Sequence, residues 1–243
     1  YCIVVPPVEI ETELVNFIEK ETRQQRQSDI WQKLHHGRLT SSIFAEVLYS
    51  GGNPRSLVKT IIEGSNLDRY ARLPEAVQWG IDNEEKARKD YIKLKEVFTN
   101  ISVEETGLTL YASHSFLGAS SDGRVREGDS MGIMEIKCPF SLDGTNITKM
   151  EVPDILALNS KSFCLIQNEN GPALKRNHKY YVQVQGEMAI MGMPWCDFVL
   201  WTAAERNNIF IERIYFDAEF VTNMMPKLVA FYIEHIYPVY YNV

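Results

Sequence analysis

The stretch from Gly118 to Pro139 constrains the fold of this chain more than any other. It places Asp122 in a tight turn, continues through a short hairpin and ends in Glu-Ile-Lys on an apolar strand. Because side chains alternate along a strand, Glu135 and Lys137 are predicted to share one face, where Asp122 at the start of the neighbouring strand can meet them. Two carboxylates and an ammonium group at one point suit a divalent cation and an activated water.

The same residues also allow a purely structural interpretation. A Glu–Lys pair can lie on one face of any strand, and Ser-Ser-Asp-Gly is a good turn sequence. On these residues alone, the structural interpretation is the favoured one. If the site is functional, its oxygen ligands select hard cations such as Mg²⁺ or Mn²⁺.

The composition indicates a globular chain with one sizeable core. Its 243 residues are 45% hydrophobic, which fits one large domain. No apolar run approaches the ~20 residues of a membrane span, so we expect no membrane partner. The net charge of −7 argues against a broadly basic nucleic-acid-binding surface but allows a basic groove. Basic residues that could line a groove, or equally be solvated surface, are Lys161, Lys175, Arg176, His178 and Lys179.

The cysteines and the first residue bear on the cellular setting. The four cysteines are Cys2, Cys138, Cys164 and Cys196. None has Cys-x-x-Cys spacing, so we expect reduced, mostly buried thiols in an intracellular protein, and neither a zinc site nor a disulfide framework. Because the chain begins with Tyr and lacks a signal-peptide pattern, we expect a domain taken from a longer protein or a processed product.

Hydrophobic periodicity predicts an alternation of helical and extended segments. Helices are predicted over 9–36, 40–48, 57–62, 74–95, 178–191 and 217–236. Strands are predicted over 103–111, 116–126, 131–137, 163–166, 173–174, 195–203 and 209–216. This order predicts an α/β layered domain with a mixed sheet.

Two predicted helices can add polar groups to the site. Glu84 can point inward from the long helix as a third carboxylate, whereas the adjacent Glu85 points about 100° away. On the later helix, Gln183 or Gln185 can hold a water or a phosphate if it faces the site. The alternative is that both glutamines are exposed helix positions.

Five short motifs occur in order over about residues 28–203. They are Trp31…Gly37-Arg-Leu-Thr-Ser-Ser42, Gly80-x-x-x-Glu84-x-x-Ala87, Leu117-Gly-Ala-Ser-Ser-Asp122-Gly, Glu135-Ile-Lys137-Cys-Pro and Tyr181-Val-Gln183-Val-Gln185-Gly. Together they resemble the YqaJ and phage lambda exonuclease family of the PD-(D/E)XK nuclease superfamily, including its animal members. The resemblance implies one nuclease domain over 1–243 with a restriction-endonuclease-like core, in which a central mixed β-sheet is flanked by helices.

The resemblance also implies a role for each residue of the site. The implied metal ligands are Asp122, Glu135, the carbonyl of Ile136, and Glu84. Lys137 is the implied catalytic lysine, and Gln183 lies beside the active site, with Gln185 as the weaker candidate. The implied cofactor is Mg²⁺, as two ions, with Mn²⁺ as a substitute.

Binding of the DNA end is where the chain departs from the family pattern. By the resemblance, Ser42 takes the place of a serine that holds the 5′-phosphate of the end. Relatives usually carry an arginine for this phosphate where this chain has His35, and a histidine of pKa ~6.5 is only partly charged at neutral pH. Arg38, one helical turn on, is the alternative cation. A second departure, Ser121 in place of proline, is tolerable because Gly123 still follows.

The resemblance therefore predicts a Mg²⁺-dependent 5′→3′ exonuclease that acts on double-stranded DNA ends in recombination or repair. The alternatives are an endonuclease of the same superfamily and a non-catalytic module that binds DNA ends. The presence of Asp122, Glu135 and Lys137 weighs against the non-catalytic module. The implied partners are a single-strand annealing recombinase and further copies in a trimeric ring. The expected location is the nucleus for a eukaryotic protein, and otherwise the cytoplasm or a virus-infected host cell.

Overall fold

The computed structural model describes residues 9–49, 54–63 and 73–241. Their helices are α1 (Thr12–Glu21), α2 (Asp29–His35), α3 (Phe44–Tyr49), α4 (Arg55–Glu63), α5 (Glu75–Glu96), α6 (Val152–Ala157), α7 (Lys179–Met191), α8 (Ala218–Phe231) and α9 (Tyr237–Tyr241). Shorter helical turns are the 3₁₀ turns Gln25–Gln27 and Ser41–Ile43 and the π turn Tyr232–Ile236. In these ranges, no helix is long and apolar enough to cross a membrane.

The strands form one central sheet and several smaller ones. They are β1 (Leu39–Thr40), β2 (Ile101–Glu104), β3 (Thr109–Tyr111), β4 (His114–Ala119), β5 (Gly123–Glu127), β6 (Ser130–Lys137), β7 (Ser141–Leu142), β8 (Thr145–Asn146), β9 (Leu165–Asn168), β10 (Gly171–Leu174), β11 (Trp195–Trp201) and β12 (Ile209–Tyr215). The central sheet has the order β12-β11-β6-β5-β2, and a three-stranded sheet has the order β1-β4-β3. β6 and β11 run parallel, while the other neighbours in the central sheet are antiparallel. The chain therefore has the predicted mixed sheet.

Helices cover both faces of the central sheet. Along β6, Ile133 belongs to the large core that includes residues of α3, α7 and α8. Met134 and Ile136 belong to a separate core that includes Ala87 and Tyr91 of α5. Since side chains alternate along β6, Glu135 and Lys137 project toward the α7 side.

Helix α7 is buried along nearly its whole length, which explains how it can present polar groups to the interior. The Nδ1 atom of His178 accepts a hydrogen bond from the Tyr180 N–H at its beginning, and Gly192 ends it with a φ of 66°. Gly186 lets α3 approach closely, because a Cβ there would lie 2.6 Å from the ring of Phe44. The helix thus lies between the sheet and α3.

Three predicted segments are divided in the structure. The predicted helix 9–36 is α1 and α2 separated by a 3₁₀ turn, in which Gln25 has a φ of 44°. The predicted strands 103–111 and 116–126 are each split between the central sheet and the smaller one. The second break has a physical cause: the Ser121 carbonyl accepts hydrogen bonds from Gln25 and Thr106. Alternating hydrophobicity continues through these breaks and so does not reveal them.

The remaining predicted elements agree more closely. The hairpin predicted over 163–174 is β9–β10, and the last helix extends beyond 236 through the π turn and α9. The poorly readable segment 140–178 also contains the β7–β8 hairpin and α6. Cys138, Cys164 and Cys196 are free thiols, as predicted, while Cys2 lies outside the described residues.

Candidate active site

One cleft of about 1100 Å³ collects all of the residues singled out as site residues. They are His35, Arg38, Ser42, Glu84, Asp122, Glu135, Ile136, Lys137 and Gln183. They come from five separate parts of the chain: α2 and the residues that follow it, α5, the turn before β5, β6 and α7. The structure therefore brings together residues that lie about 150 positions apart in the sequence, from His35 to Gln183.

Asp122 is held against β6 by two hydrogen bonds. Its backbone N–H donates to the Met134 carbonyl over 3.1 Å. Its Oδ2 atom accepts from the backbone N–H of Ile136 over 2.6 Å. The carboxylate of Asp122 is thereby fixed beside the Glu-Ile-Lys segment, as predicted from the sequence.

Glu135 and Lys137 form a close ion pair on one face of β6. The Nζ atom of Lys137 donates to Oε1 of Glu135 over 2.6 Å, which confirms that the two side chains share a face. Glu135 is only 3% exposed, and its Oε2 atom is buried with no hydrogen-bond partner in the part of the chain that the structure describes. Lys137 also lies 4.9 Å from the ring centroid of Tyr180, a cation–π distance.

Glu84 adds a third carboxylate from α5. It lines the cleft with Asp122, and its Oε1 atom lies 3.5 Å from Nη2 of Arg88. The Glu84 side chain is 40% exposed, so it lies at the open side of the site. Glu85 does not line the cleft; its side chain is 63% exposed and pairs with Lys89 and with Arg88.

The cleft concentrates negative charge in a place that water reaches poorly. Burial raises the pKa of Glu135 well above its usual value, and the carboxylates of Asp122 and Glu187 raise it further. Burial followed by repulsion from Asp122 raises the pKa of Glu84 to about 7. Burial alone would lower the pKa of Lys137, but Glu135 and Asp122 outweigh it, so the net shift is upward. Nearby positive charge would relieve this repulsion.

The donors of the site fit a hard divalent cation. All of the atoms that could bind the cation are oxygens. One of them, Oε2 of Glu135, is buried and has no hydrogen-bond partner among the residues described. As they stand, no three His, Cys, Asp or Glu side chains of the described ranges form a group ready to hold a metal ion. Oε1 of Glu135 is already bonded to Lys137, and Oδ2 of Asp122 to the Ile136 N–H. A cation would use the remaining carboxylate oxygens.

Gln183 is the glutamine that faces the site. Its Nε2 atom donates to Oε1 of Glu135 over 2.6 Å and to Oε1 of Glu187 over 2.8 Å. Gln185 instead donates to the Tyr215 carbonyl, away from the cleft. The sequence could not tell which of the two glutamines faces the site, and the structure shows that it is Gln183.

Glu187 is a residue of this site that the sequence interpretation missed. It is completely buried and accepts a second hydrogen bond, from Oγ of Ser41 over 3.2 Å. Burial raises its pKa to about 8. Its position four residues after Gln183 was the available signal, because residues at that spacing share a helix face.

The proposed end-binding residues Ser42, His35 and Arg38 line the same cleft. Ser42 is exposed there, with its Oγ 3.3 Å from that of Thr40. The centroids of the His35 and Trp31 rings lie 3.6 Å apart with the ring planes tilted by 37°, and Nδ1 of His35 bonds to the Trp31 carbonyl. Burial lowers the pKa of His35 to about 4, so it is neutral at pH 7.

Two arginines also line the cleft. Arg38 donates to the carbonyls of Leu34 and Ser115 over 2.8 and 3.2 Å. Arg26, which the sequence interpretation missed, is exposed in the cleft wall, and its guanidinium forms no hydrogen bond or ion pair with any described residue. Gln25 anchors the turn that carries Arg26 by donating to two carbonyls, one of them next to Asp122.

The five basic residues suggested as groove lining do not line this cleft. Lys175 donates to backbone carbonyls, including that of Lys161, and Arg176 forms an ion pair with Asp217. His178 caps α7, as described above. The Nζ atom of Lys179 lies 5.6 Å from the centroid of the Tyr180 ring, which does line the cleft. The basic side chains that do line it are Arg26, His35, His36, Arg38 and Lys137.

A mixed sheet flanked by helices, with an aspartate and a Glu-x-Lys strand meeting in one cleft, defines a nuclease core of the restriction-endonuclease-like class. Residues 30–194 match the model of the YqaJ-like viral recombinase domain. The chain belongs to this family, and the resemblance stated from the sequence is confirmed. No curated protein matches the chain.

Solved structures agree with this assignment. An alkaline exonuclease from Laribacter hongkongensis is 25% identical with a TM-score of 0.64, and the match covers 88% of this chain and 96% of that one. The same values hold for its complex with dAMP. The Shutoff and Exonuclease Protein of Kaposi's sarcoma-associated herpesvirus is 11% identical with a TM-score of 0.58, over 92% of this chain and 74% of that one. The last similarity concerns the fold alone.

Proposed function

We propose that this chain is a Mg²⁺-dependent deoxyribonuclease that works 5′→3′ from the ends of double-stranded DNA in recombination or repair. The observation that carries the proposal is the meeting of Asp122, Glu135 and Lys137 in one cleft. Membership of the YqaJ-like family and the similarity to the L. hongkongensis alkaline exonuclease support it.

The proposed metal ligands are Asp122, Glu135, the carbonyl of Ile136, and Glu84. Bound Mg²⁺, as two ions, would polarise a phosphate oxygen and lower the pKa of a water. The chain's contribution is to hold the oxygens of Asp122 and Glu135 where β5 begins and β6 ends, with Oε2 of Glu135 buried and without a hydrogen-bond partner among the described residues. The ligand set is an oxygen set, which suits Mg²⁺ or Mn²⁺ better than zinc.

Lys137 and Gln183 act on the substrate side of this centre. Lys137 is protonated beside Glu135 and can donate to a phosphoryl oxygen on which negative charge accumulates. The Nε2 atom of Gln183 is occupied by two carboxylates, so its amide oxygen is the atom left to orient a water. Both groups are preorganised by bonds within the protein, which reduces the reorganisation required during the reaction.

Ser42 is proposed to bind the 5′-phosphate of the DNA end through its hydroxyl. His35 can add a hydrogen bond but little charge, since burial keeps its pKa near 4. Arg38 still has N–H donors beyond the two that bind carbonyls. Arg26 supplies the cation in the cleft wall that has no partner among the described side chains, and phosphate groups prefer such donors.

The further partners proposed are a single-strand annealing recombinase and a ring of three copies of the chain. A ring of this kind would keep the enzyme on its DNA during successive cleavages. Light scattering of the purified protein tests the ring directly: three times the chain mass supports it, and a single chain mass at all concentrations contradicts it.

Digestion of a linear duplex tests the enzymatic proposal. Duplexes with 5′-phosphate, 5′-hydroxyl and blocked 5′ ends are incubated with Mg²⁺, with a closed circular DNA alongside. An exonuclease of this kind shortens the open ends and leaves the circle intact. Cutting of the circle would favour an endonuclease of the same superfamily, and DNA binding without cleavage would favour a non-catalytic module.

A further inference from the structure

We propose that Glu187 is a positioning residue that links the turn carrying Ser42 to the carboxylate of Glu135 through the side chain of Gln183. This inference rests on the proposed function, because it assigns Glu187 a part in the same reaction. It adds a residue that does not contact the proposed metal ligands itself and that acts through its neighbour.

The first step is the bridge made by Gln183. A side-chain amide nitrogen has two N–H donors, and here one reaches Glu135 over 2.6 Å while the other reaches Glu187 over 2.8 Å. With both donors used, the amide plane is fixed and its oxygen is the atom left to meet a water or the substrate. If Glu187 were absent, the amide could rotate about its last bond while keeping one hydrogen bond to Glu135.

The second step is the connection to the end-binding turn. Oγ of Ser41 donates to the same Oε1 atom of Glu187 over 3.2 Å. Ser41 is only 3% exposed, and the next residue, Ser42, is exposed in the cleft. One carboxylate oxygen therefore ties the 3₁₀ turn that presents Ser42 to the helix that presents Gln183.

The third step concerns the energetic disadvantage of a carboxyl group at this position. Glu187 is completely buried in α7, and its Oε2 atom has no hydrogen-bond partner among the residues that the structure describes. No side-chain cation forms an ion pair with it within those ranges. A carboxyl buried in this way destabilises a fold relative to an apolar side chain of similar size, so stability does not account for its presence. Burial also raises its pKa to about 8, and the neutral acid still accepts from Gln183.

Three substitutions separate positioning from packing. Glu187→Leu removes the acceptor, Glu187→Gln retains an acceptor oxygen of similar shape, and Ser41→Ala cuts only the connection to the turn. Gln185→Leu is the matched control on the same helix, because its amide bonds to Tyr215 and Asp217 outside the cleft. Each variant is assayed for kcat and KM on a linear duplex and for its melting temperature.

The proposal predicts that Glu187→Leu melts at or above the wild-type temperature while its kcat falls by about 10-fold to 100-fold, the range for residues that orient an active group. KM should change little, and Glu187→Gln should recover most of kcat. Ser41→Ala should lose less than Glu187→Leu. The control Gln185→Leu should melt earlier and retain the wild-type kcat in its folded fraction. A wild-type kcat in Glu187→Leu, or a loss that Glu187→Gln does not recover, would overturn the proposal.

A readout independent of cleavage distinguishes failure of this inference from failure of the proposed function. The side-chain amide signals of Gln183 are observed by NMR in ¹⁵N-labelled protein and assigned by their loss in Gln183→Ala. They should shift in Glu187→Leu and stay near their wild-type position in Gln185→Leu. Unchanged signals in Glu187→Leu would overturn the positioning role even if the wild-type enzyme cuts DNA. If the signals shift but wild-type protein does not cut DNA, the geometry stands and the nuclease proposal fails.

Discussion

The Nζ atom of Lys137 lies 2.6 Å from Oε1 of Glu135, and the two residues are two positions apart on one strand. Glu135 is buried and Lys137 nearly so, so each charge depends on the other for compensation. This pair also stands at the point where Asp122 and Gln183 approach from other segments. It is the natural place to test whether the cleft is an active site.

Substitution of either member of the pair is predicted to abolish cleavage. Lys137→Ala and Glu135→Gln should each reduce kcat by about 100-fold or more, because one removes the cation near the phosphate and the other a ligand oxygen. Circular dichroism should report the wild-type fold. Lys89→Ala, on an exposed face of α5, is the control. A variant of the pair that cuts as fast as the wild type would show that the site is elsewhere.

Mg²⁺ is predicted to stabilise the folded protein. Since the cation binds the native carboxylates and not the unfolded chain, the melting temperature should rise with Mg²⁺ concentration. The rise should shrink strongly in Asp122→Asn, and EDTA should stop cleavage in the wild type. Scanning calorimetry checks the shift without relying on activity. An equal rise in Asp122→Asn would contradict the proposed ligand set.

The meeting of this pair with Asp122 was predictable because it depends on local rules. Glu135 and Lys137 follow from alternation along one strand, and Asp122 from a turn that returns the chain to that strand. Glu187 was missed because α7 is buried on nearly all sides, so its sequence does not mark an inner and an outer face. Its spacing of four residues from Gln183 was the signal that could have found it. Arg26 was missed for another reason: Gln25 fixes its turn through residues 81 and 96 positions away. Such contacts arise only after the whole domain has folded.

In the fold as well, features that depend on nearby residues were predicted, and features that depend on distant residues were not. The order of helices and strands and the mixed sheet were predicted from periodicity. The split of 116–126 into β4 and β5 was not, since it depends on hydrogen bonds that Gln25 and Thr106 donate to the Ser121 carbonyl. That break releases Asp122 from a regular strand and lets it bond to Ile136.

Protonation of His35 is predicted to make the protein less stable in acid. Its pKa falls from 6.5 to about 4 on folding, so the unfolded state binds more protons between those values. The contribution of neutral His35 to the free energy of unfolding is fully present above pH 6.5 and is lost as the pH falls toward 4. The free energy of unfolding should fall less steeply over this range in His35→Asn, which keeps a donor for the Trp31 carbonyl. NMR titration of His35 near 6.5 would contradict this prediction.

Arg26 is predicted to contribute to DNA binding more than to the chemical step. Arg26→Ala should raise KM several-fold and leave kcat within about 2-fold. The slope of log binding constant against log salt concentration should fall by the amount that corresponds to roughly one phosphate contact. Arg26→Lys should recover part of the loss, since it restores the charge but not the planar donor group. The measurement is DNA binding at several salt concentrations. An unchanged salt slope in Arg26→Ala would exclude a phosphate contact.

The side of the central sheet that packs on α5 is predicted to depend on Asp197 of β11. This residue is 1% exposed and accepts hydrogen bonds from Tyr91 and from two guanidinium nitrogens of Arg213. Asp197→Ala should destabilise the fold by about 1–3 kcal/mol, because it leaves the buried Tyr91 hydroxyl without its acceptor and removes one of the two carboxylates that pair with Arg213. Urea unfolding measures the loss. The double variant with Arg213→Ala should lose less than the sum of the two single variants, and simple additivity would argue against the network.

The central claim is that this cleft hydrolyses DNA from an end. The most direct measurement incubates one linear duplex with a 5′-phosphate and one closed circle of the same sequence with Mg²⁺ and either wild-type protein or Lys137→Ala. The wild type is expected to shorten the linear DNA, spare the circle and stop with EDTA, while Lys137→Ala is expected to do nothing to either. Cleavage of the linear DNA by Lys137→Ala at the wild-type rate, or no cleavage by the wild type, would contradict the central claim.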